Sequence, residues 1–300
     1  MNKTIENSTN VDINCSAKDE NTALNNKNNA LNGYNTASFS ENNNEISANN
    51  GAYNGVNKVD GSRSNGNDGV SQNKEQITEV NYAPRPEIFA DNGFNTILYV
   101  VRHGESLGNA KHEFLGHTDK DLSPLGYEQA KKTALLMAGE RIDAVYSSDL
   151  IRAHNTAFPH AKMRGFDVID LKELREIYAG EWEGMRVVDI IEKYPVDFYD
   201  CWRARFGVCR IPGGESVPEL AERIHNALLK IARECEGKRV LIGCHAAAIR
   251  SFWGRISGID PERLADELPF PANASVSTVY FDGEKLVPGF YSYDKHLTEE

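Results

Sequence analysis

Thr96-Ile97-Leu98-Tyr99-Val100-Val101 runs directly into Arg102-His103-Gly104-Glu105-Ser106. The first six residues are rich in the β-branched and aromatic side chains that favour a strand. An arginine, a histidine and a glycine then arrive where that strand must end. In open α/β sheets, ligands bind beyond the carboxyl ends of the strands. His103 therefore stands where chemistry is expected, although a lone Arg-His-Gly reads equally well as a surface loop.

The surrounding chain supplies the context. Leu122-Ser123-Pro124-Leu125-Gly126 starts a helix with Ser123 as N-cap and Pro124 as its first residue, running to about Ala138. Ala144–Ser147 reads as a second strand, with Ser148 or Asp149 capping the helix that carries Arg152. Phe166–Ile169 reads as a third strand, and residues 185–211 as an irregular, partly helical insert. Ser216-Val217-Pro218-Glu219 has the form of a capping box, and Leu220, Ile224, Leu228 and Ile231 follow at helical spacing. Arg239–Cys244 is a buried strand ending at His245, and a helix through Ile249 and Trp253 follows it. Val276–Phe281 and Lys285–Val287 flank an Asp282-Gly283 turn and form a hairpin. Strands alternating with helices imply a three-layer α/β/α sandwich with a mostly parallel central sheet. Parallel strands would bring Arg102, His103, Arg152 and His245 to one sheet edge. Taken singly, Arg152 is equally a surface helix arginine and His245 a core histidine; their shared position favours a site.

Residues 1–82 differ from this pattern. Asparagine supplies about a quarter of the first 80 residues, and large apolar side chains are few. Such a segment buries too little surface to offset a backbone ordering cost of about 1–2 kcal/mol per residue. It is expected to be a disordered tail and linker, with Pro84 and Pro86 at the boundary to a catalytic domain over 83–300. The net charge is -11 and no block of Lys or Arg stands out, which disfavours nucleic-acid and anionic-membrane partners. The N-terminus has no signal-peptide core, and no apolar run is long enough to span a bilayer. The five cysteines are odd in number and form no C-x-x-C pair, so neither a disulfide framework nor a zinc ribbon is expected. These features suit a cytoplasmic protein. Asn7 and Asn273 begin Asn-x-Ser/Thr triplets, which carry no meaning without secretion. A homodimer stays open, because periodicity locates no apolar patch to build one.

Two arginines and two histidines together favour a compact, multiply charged anion, since the guanidinium fork matches phosphate oxygens. Two histidines and a carboxylate can also hold a metal, but the arginines would repel a cation and no H-E-x-x-H spacing occurs. No metal and no cofactor are expected. Neither G-x-x-x-x-G-K-[ST] nor G-x-G-x-x-G is present, so nucleotide binding lacks support.

At this point the motifs resemble those of the histidine phosphatase superfamily, in its phosphoglycerate-mutase-like branch. The likeness runs from Arg102-His103-Gly104 through Asn109, Gly116, Leu122–Ala130 and Tyr146–Ala153 to Leu174-Arg175-Glu176 and Gly180-Glu181-Trp182-Glu183-Gly184. Pro212-Gly213-Gly214-Glu215-Ser216 and Cys244–Arg250 complete it. It covers roughly residues 95–295. Ala246 departs from the glycine of many members. The resemblance implies that His103 is a nucleophile forming a phosphohistidine. Arg102, Arg152 and His245 would clamp the phosphoryl oxygens, and Glu176 would serve as general acid and then base. Asn109, Gly116 and Ala246 would bind phosphate or substrate. About 70 positions separate Glu176 from His245, the short form of phosphatases rather than of mutases. A phosphatase of a small phosphorylated metabolite is expected, with a phosphoglycerate mutase as runner-up. A non-catalytic scaffold and a protein phosphatase stay as alternatives. Arg203, Arg205 and Arg210, with Trp202 and Phe206, are expected to cover the site and contact a second acidic group or a ring on the substrate.

Overall fold

A computed structural model describes residues 86–90 and 92–298. The expected disordered tail and its boundary at 82/83 lie outside the described residues. In chain order the elements are β1 (Thr96–Arg102), β2 (Glu113–Phe114), α1 (Pro124–Leu136), β3 (Ala144–Ser148), α2 (Ile151–Arg164), β4 (Val168–Leu171), β5 (Met185–Arg186) and α3 (Val187–Lys193). There follow α4 (Val217–Glu234), β6 (Arg239–Cys244), α5 (Ala246–Ile256), α6 (Leu264–Glu267), β7 (Val276–Phe281), β8 (Leu286–Pro288) and α7 (Lys295–Thr298).

Six strands form one sheet in the order β4-β3-β6-β1-β7-β8. The first four run parallel, and β7 is antiparallel to both β1 and β8. Residues of β1 alternate between two buried faces. Ile97, Tyr99 and Val101 pack with Met137 after α1 and with Ala157 and Ala161 of α2. Leu98 and Val100 are buried on the other face. This is the expected α/β architecture.

The local signals that proved correct were those closed within a few residues. Ser123 Oγ accepts from Gly126 N, and Ser216 and Glu219 form a complete capping box. The cap of α2 needs correction. Neither Ser148 nor Asp149 caps it: Asp149 is held by Arg175, and the Ile151 N–H is satisfied by the distant Asp119 carboxylate at 2.8 Å. The third strand sits two residues later than expected, because its pairing with β3 begins at Val145↔Val168.

The cysteine expectation is also corrected. Cys201 and Cys209 form a disulfide. A π-helical turn over Asp197–Arg203 and a 3-10 turn over Phe206–Val208 double the insert back on itself and bring the two Cα atoms to 5.0 Å. That reversal is invisible to spacing rules, and the argument from cysteine count to a reducing compartment falls with it. Among the described residues, no helix is long and apolar enough to cross a membrane.

A buried and a half-buried histidine outside the sheet edge give the fold an acid limit. His160 of α2 is fully buried with neither ring nitrogen hydrogen-bonded among the described residues, and His296 of α7 lies 2.9 Å from Thr133 Oγ1. Burial, aided by Arg164, pushes His160 down to about 3. Burial likewise pushes His296 down to about 4. The unfolded chain takes up both protons near the ordinary imidazole value of about 6.5. Their stabilisation is therefore complete above about pH 6.5 and is lost as pH falls toward 3–4. Between those limits each group adds a slope of about 1.4 kcal/mol per pH unit. Urea unfolding at pH 7, 6 and 5 should show a steep loss for the wild type and a shallower one for His160→Leu. Parallel losses would remove His160 from this account.

Candidate active site

The register of the parallel strands assembles the site. Arg102 pairs with Cys244 across β1 and β6, and the ladder continues one step through His103 N to Cys244 O at 2.9 Å. The next residue on each strand is therefore a histidine. The rings of His103 and His245 lie 5.2 Å apart, centroid to centroid, at 60°. Both are buried.

Beyond β1 the chain turns through Gly104, where a Cβ would stand 2.5 Å from Gly126 O at the start of α1. Only glycine admits that approach. The turn is held by Gly104 N donating to Thr156 Oγ1 of α2. On its other side Asn273 Nδ2 and Ala274 N both donate to His103 O, at 3.1 and 3.2 Å. His103 Nδ1 lies 2.6 Å from Gly104 O. A carbonyl only accepts, so Nδ1 carries the hydrogen and Nε2 keeps its lone pair. Burial first, then the charges of Arg152 and Arg102, hold His103 well below the ordinary imidazole range. The ring is a neutral base with one fixed tautomer.

Arg152, on the first turn of α2, is almost wholly buried. Its Nη1 donates to Thr118 O at 3.0 Å and its Nη2 to Gly116 O at 2.8 Å, while Nε has no partner among the described residues. Burial pulls its pKa down to about 10, against the raising effects of Glu176, Asp119 and Glu183, so it stays charged near neutrality. The carbonyls come from a loop that Glu183 shapes. That carboxylate accepts from the N–H groups of His117, Thr118 and Ala179 and from Thr118 Oγ1. Gly116 has φ +51, and a Cβ there would stand 2.2 Å from Glu183 Oε1. Gly116 thus acts through Arg152, which it positions with its carbonyl.

Arg102 Nη1 donates to Pro271 O at 2.6 Å. Asn109 spends its Oδ1 on Ser106 N and Oγ. His245 is fully buried, with neither ring nitrogen hydrogen-bonded among the described residues. Burial first, then Arg152, His103, His117 and Arg223, lowers its pKa well below the ordinary value. Ala246 opens α5 immediately after it. Glu176 reaches that helix start: Oε1 accepts from Ile177 N and Ala248 N, and Oε2 from Ala247 N. Among the described residues, no group of three or more His, Cys, Asp or Glu is placed to hold a metal ion.

The insert departs from expectation. Arg205 pairs with Glu262 and Arg210 with Glu219, both on exposed surface. Trp202 and Phe206 are buried, packing on each other, on Phe270 and, through Trp202, on Phe114 and Trp182. These aromatics serve as core, and among the described residues Arg203 is the one of the three arginines without an ion-pair commitment of this kind. The contacts made by Asn273, His117, Glu215 and Arg223 around the site were not legible in the sequence, because each joins segments far apart in the chain.

A family model for the histidine phosphatase superfamily (branch 1) matches residues 98–291. The chain belongs to this superfamily. Phosphoserine phosphatase 1 of Hydrogenobacter thermophilus is 32% identical to this histidine phosphatase over 203 residues, covering 67% of the chain and 94% of the relative. A metal-independent phosphoserine phosphatase of Arabidopsis thaliana is 35% identical over 206 residues, covering 68% of the chain and 84% of the relative. A phosphoserine phosphatase of Entamoeba histolytica, solved with 3-phosphoglyceric acid, superposes with a TM-score of 0.58 at 25% identity, covering 67% of the chain and 99% of the solved chain. Family and fold agree with the sequence reading, and the enzyme class is a phosphoric monoester hydrolase.

Proposed function

We propose that this histidine phosphatase hydrolyses a small phosphate monoester by two in-line transfers at His103, with no metal in either step. The observation that carries the reading is the fixed tautomer of a neutral, buried His103 directly beside His245 and Arg152. In the first step Nε2 attacks phosphorus, the P–N bond forms and the P–O bond to the leaving alkoxide breaks. Glu176 gives that oxygen its proton. Oε1 already accepts two hydrogen bonds and Oε2 only one, so Oε2 is the oxygen that carries the proton. In the second step the same carboxylate takes a proton from water, which attacks the phosphohistidine and releases phosphate. Arg102, Arg152 and His245 hold the equatorial oxygens. Asn109 contributes Nδ2, and the Ala246 backbone at the α5 start favours the anion. Gly116 supports Arg152. Arg203 is the insert residue assigned to a second group on the substrate. A cytoplasmic setting is part of this proposal and rests on the sequence alone.

Phosphoserine heads the substrates to test, on the names of the relatives. Phosphate release is expected in EDTA from at least one of phosphoserine, 3-phosphoglycerate, a sugar phosphate and an aryl phosphate. Isomerisation of 3-phosphoglycerate without phosphate release would replace the hydrolase by a mutase.

A further inference from the structure

Glu176 sits in a stretch without regular structure, just after a 3-10 turn over Lys172–Leu174. No strand ladder fixes it, yet a general acid must meet the leaving oxygen at hydrogen-bond distance. The start of α5 holds the carboxylate itself, and what fixes the main chain that carries it is Arg223 of α4. Its Nη1 donates to Glu173 O and Arg175 O, both at 2.9 Å, and its Nη2 donates to Glu176 O at 3.1 Å. The remaining two donors go to Glu215, Nε to Oε1 at 3.0 Å and Nη2 to Oε2 at 2.8 Å. Glu215 in turn is laced to the far side of the strap. Tyr178 N donates to its Oε2 at 3.2 Å, and its own N–H donates to Tyr178 O at 2.9 Å. The Glu176 carbonyl also accepts from His117 Nε2 at 2.9 Å.

All five N–H donors of Arg223 are therefore committed inside the protein. None remains for a phosphate, although the residue stands close enough for its charge to act on His245. We infer that Arg223, locked by Glu215, is a positioning residue that holds the Glu176 carboxylate at the leaving oxygen. A lysine has three donors on a point charge and cannot reproduce the planar fork. The inference rests on the reading of Glu176 as general acid.

Leaving-group dependence separates placement of an acid from general damage. An alkyl ester such as phosphoserine needs its departing oxygen protonated, whereas 2,4-dinitrophenyl phosphate expels a stable phenolate. The ratio kcat/KM reports only through formation of the phosphoenzyme. Arg223→Lys, Arg223→Ala and Glu176→Gln should be compared on both substrates in the full chain, with a thermal melt on each variant. A misplacement of about 1 Å is worth about 100-fold. Arg223→Lys should thus lose about 100-fold on phosphoserine or the best alkyl phosphate, and no more than about threefold on the dinitrophenyl ester. Equal losses on both esters for Arg223→Lys, beside a selective loss for Glu176→Gln, would overturn the positioning role. A non-selective Glu176→Gln would instead overturn the acid assignment, and the inference with it. Arg223→Lys keeps the test open if Arg223→Ala does not fold.

Discussion

Replacing His103 with alanine should lower kcat by about 10⁵-fold or more, the scale on which loss of a covalent nucleophile is felt. The reason lies in two features that His245 does not share. His103 has one ring nitrogen pinned to the Gly104 carbonyl at 2.6 Å, which aims the lone pair of Nε2 into the site. Its backbone carbonyl is held from behind by Asn273 and Ala274, so ring and main chain are fixed together. Among the described residues, His245 has no hydrogen bond on either nitrogen and no carbonyl to choose a tautomer. It is free to donate to a phosphoryl oxygen, which is the lesser role. Phosphate monoesters are among the slowest esters to hydrolyse unaided, with enzymes reaching about 10²¹-fold acceleration. Burial and two arginines lower the pKa of His103 well below the ordinary imidazole value, which favours the neutral ring that this attack requires. Rapid quench with a labelled substrate should trap an acid-labile, alkali-stable adduct on the wild type and none on His103→Ala. Turnover above about 1% in that variant, or wild-type turnover with no trapped adduct, would reject His103 as the nucleophile.

The extent to which the sequence foretold this site follows from the range of the contacts. β1 and β6 were legible because each is an unbroken apolar run, and their parallel register then places His103 beside His245 with nothing further needed. The capping boundaries of α1 and α4 were legible because donor and acceptor are three residues apart. The cap of α2 was not, since Asp119 supplies it from 32 positions away. Arg223 reaches Glu176 across 47 positions, and Asn273 reaches His103 across 170. No periodicity records such contacts. Asn273 attracted notice only as part of a glycosylation triplet, and Glu215 only as part of a motif. The insert arginines misled for the opposite reason. A local cluster of positive charge suggested a substrate contact, but Glu262 and Glu219, supplied from later in the chain, neutralise two of the three.

Arg152 is expected to give the second large effect: Arg152→Lys should lower kcat/KM by about 10²–10³-fold, the cost of removing one preorganised donor from a developing oxyanion. The physical case is its burial. A cation that deep has lost most of its water, and its pKa has come down to about 10 on that account. Two carbonyls, Gly116 O and Thr118 O, recover part of the lost solvation, and they also set the plane of the guanidinium. Neither is charged. The carboxylates of Glu176, Asp119 and Glu183 act on it through their charge, but its hydrogen bonds go to carbonyls, so a bound dianion would complete the compensation that a buried cation needs. Binding and stability should then be coupled at this residue. Inorganic phosphate at about 100 times its Kd should stabilise the wild type by about 2.7 kcal/mol. It should stabilise Arg152→Lys far less at the same concentration, because the ammonium reaches one oxygen where the fork reaches two. Without ligand the order should narrow or reverse, since lysine sheds its proton more readily when buried and so relieves the strain of the buried charge. Equal phosphate-induced shifts in melting temperature for the two proteins would show that Arg152 is a structural tie between α2 and the Gly116 loop, and would leave the phosphoryl group to Arg102 and His245.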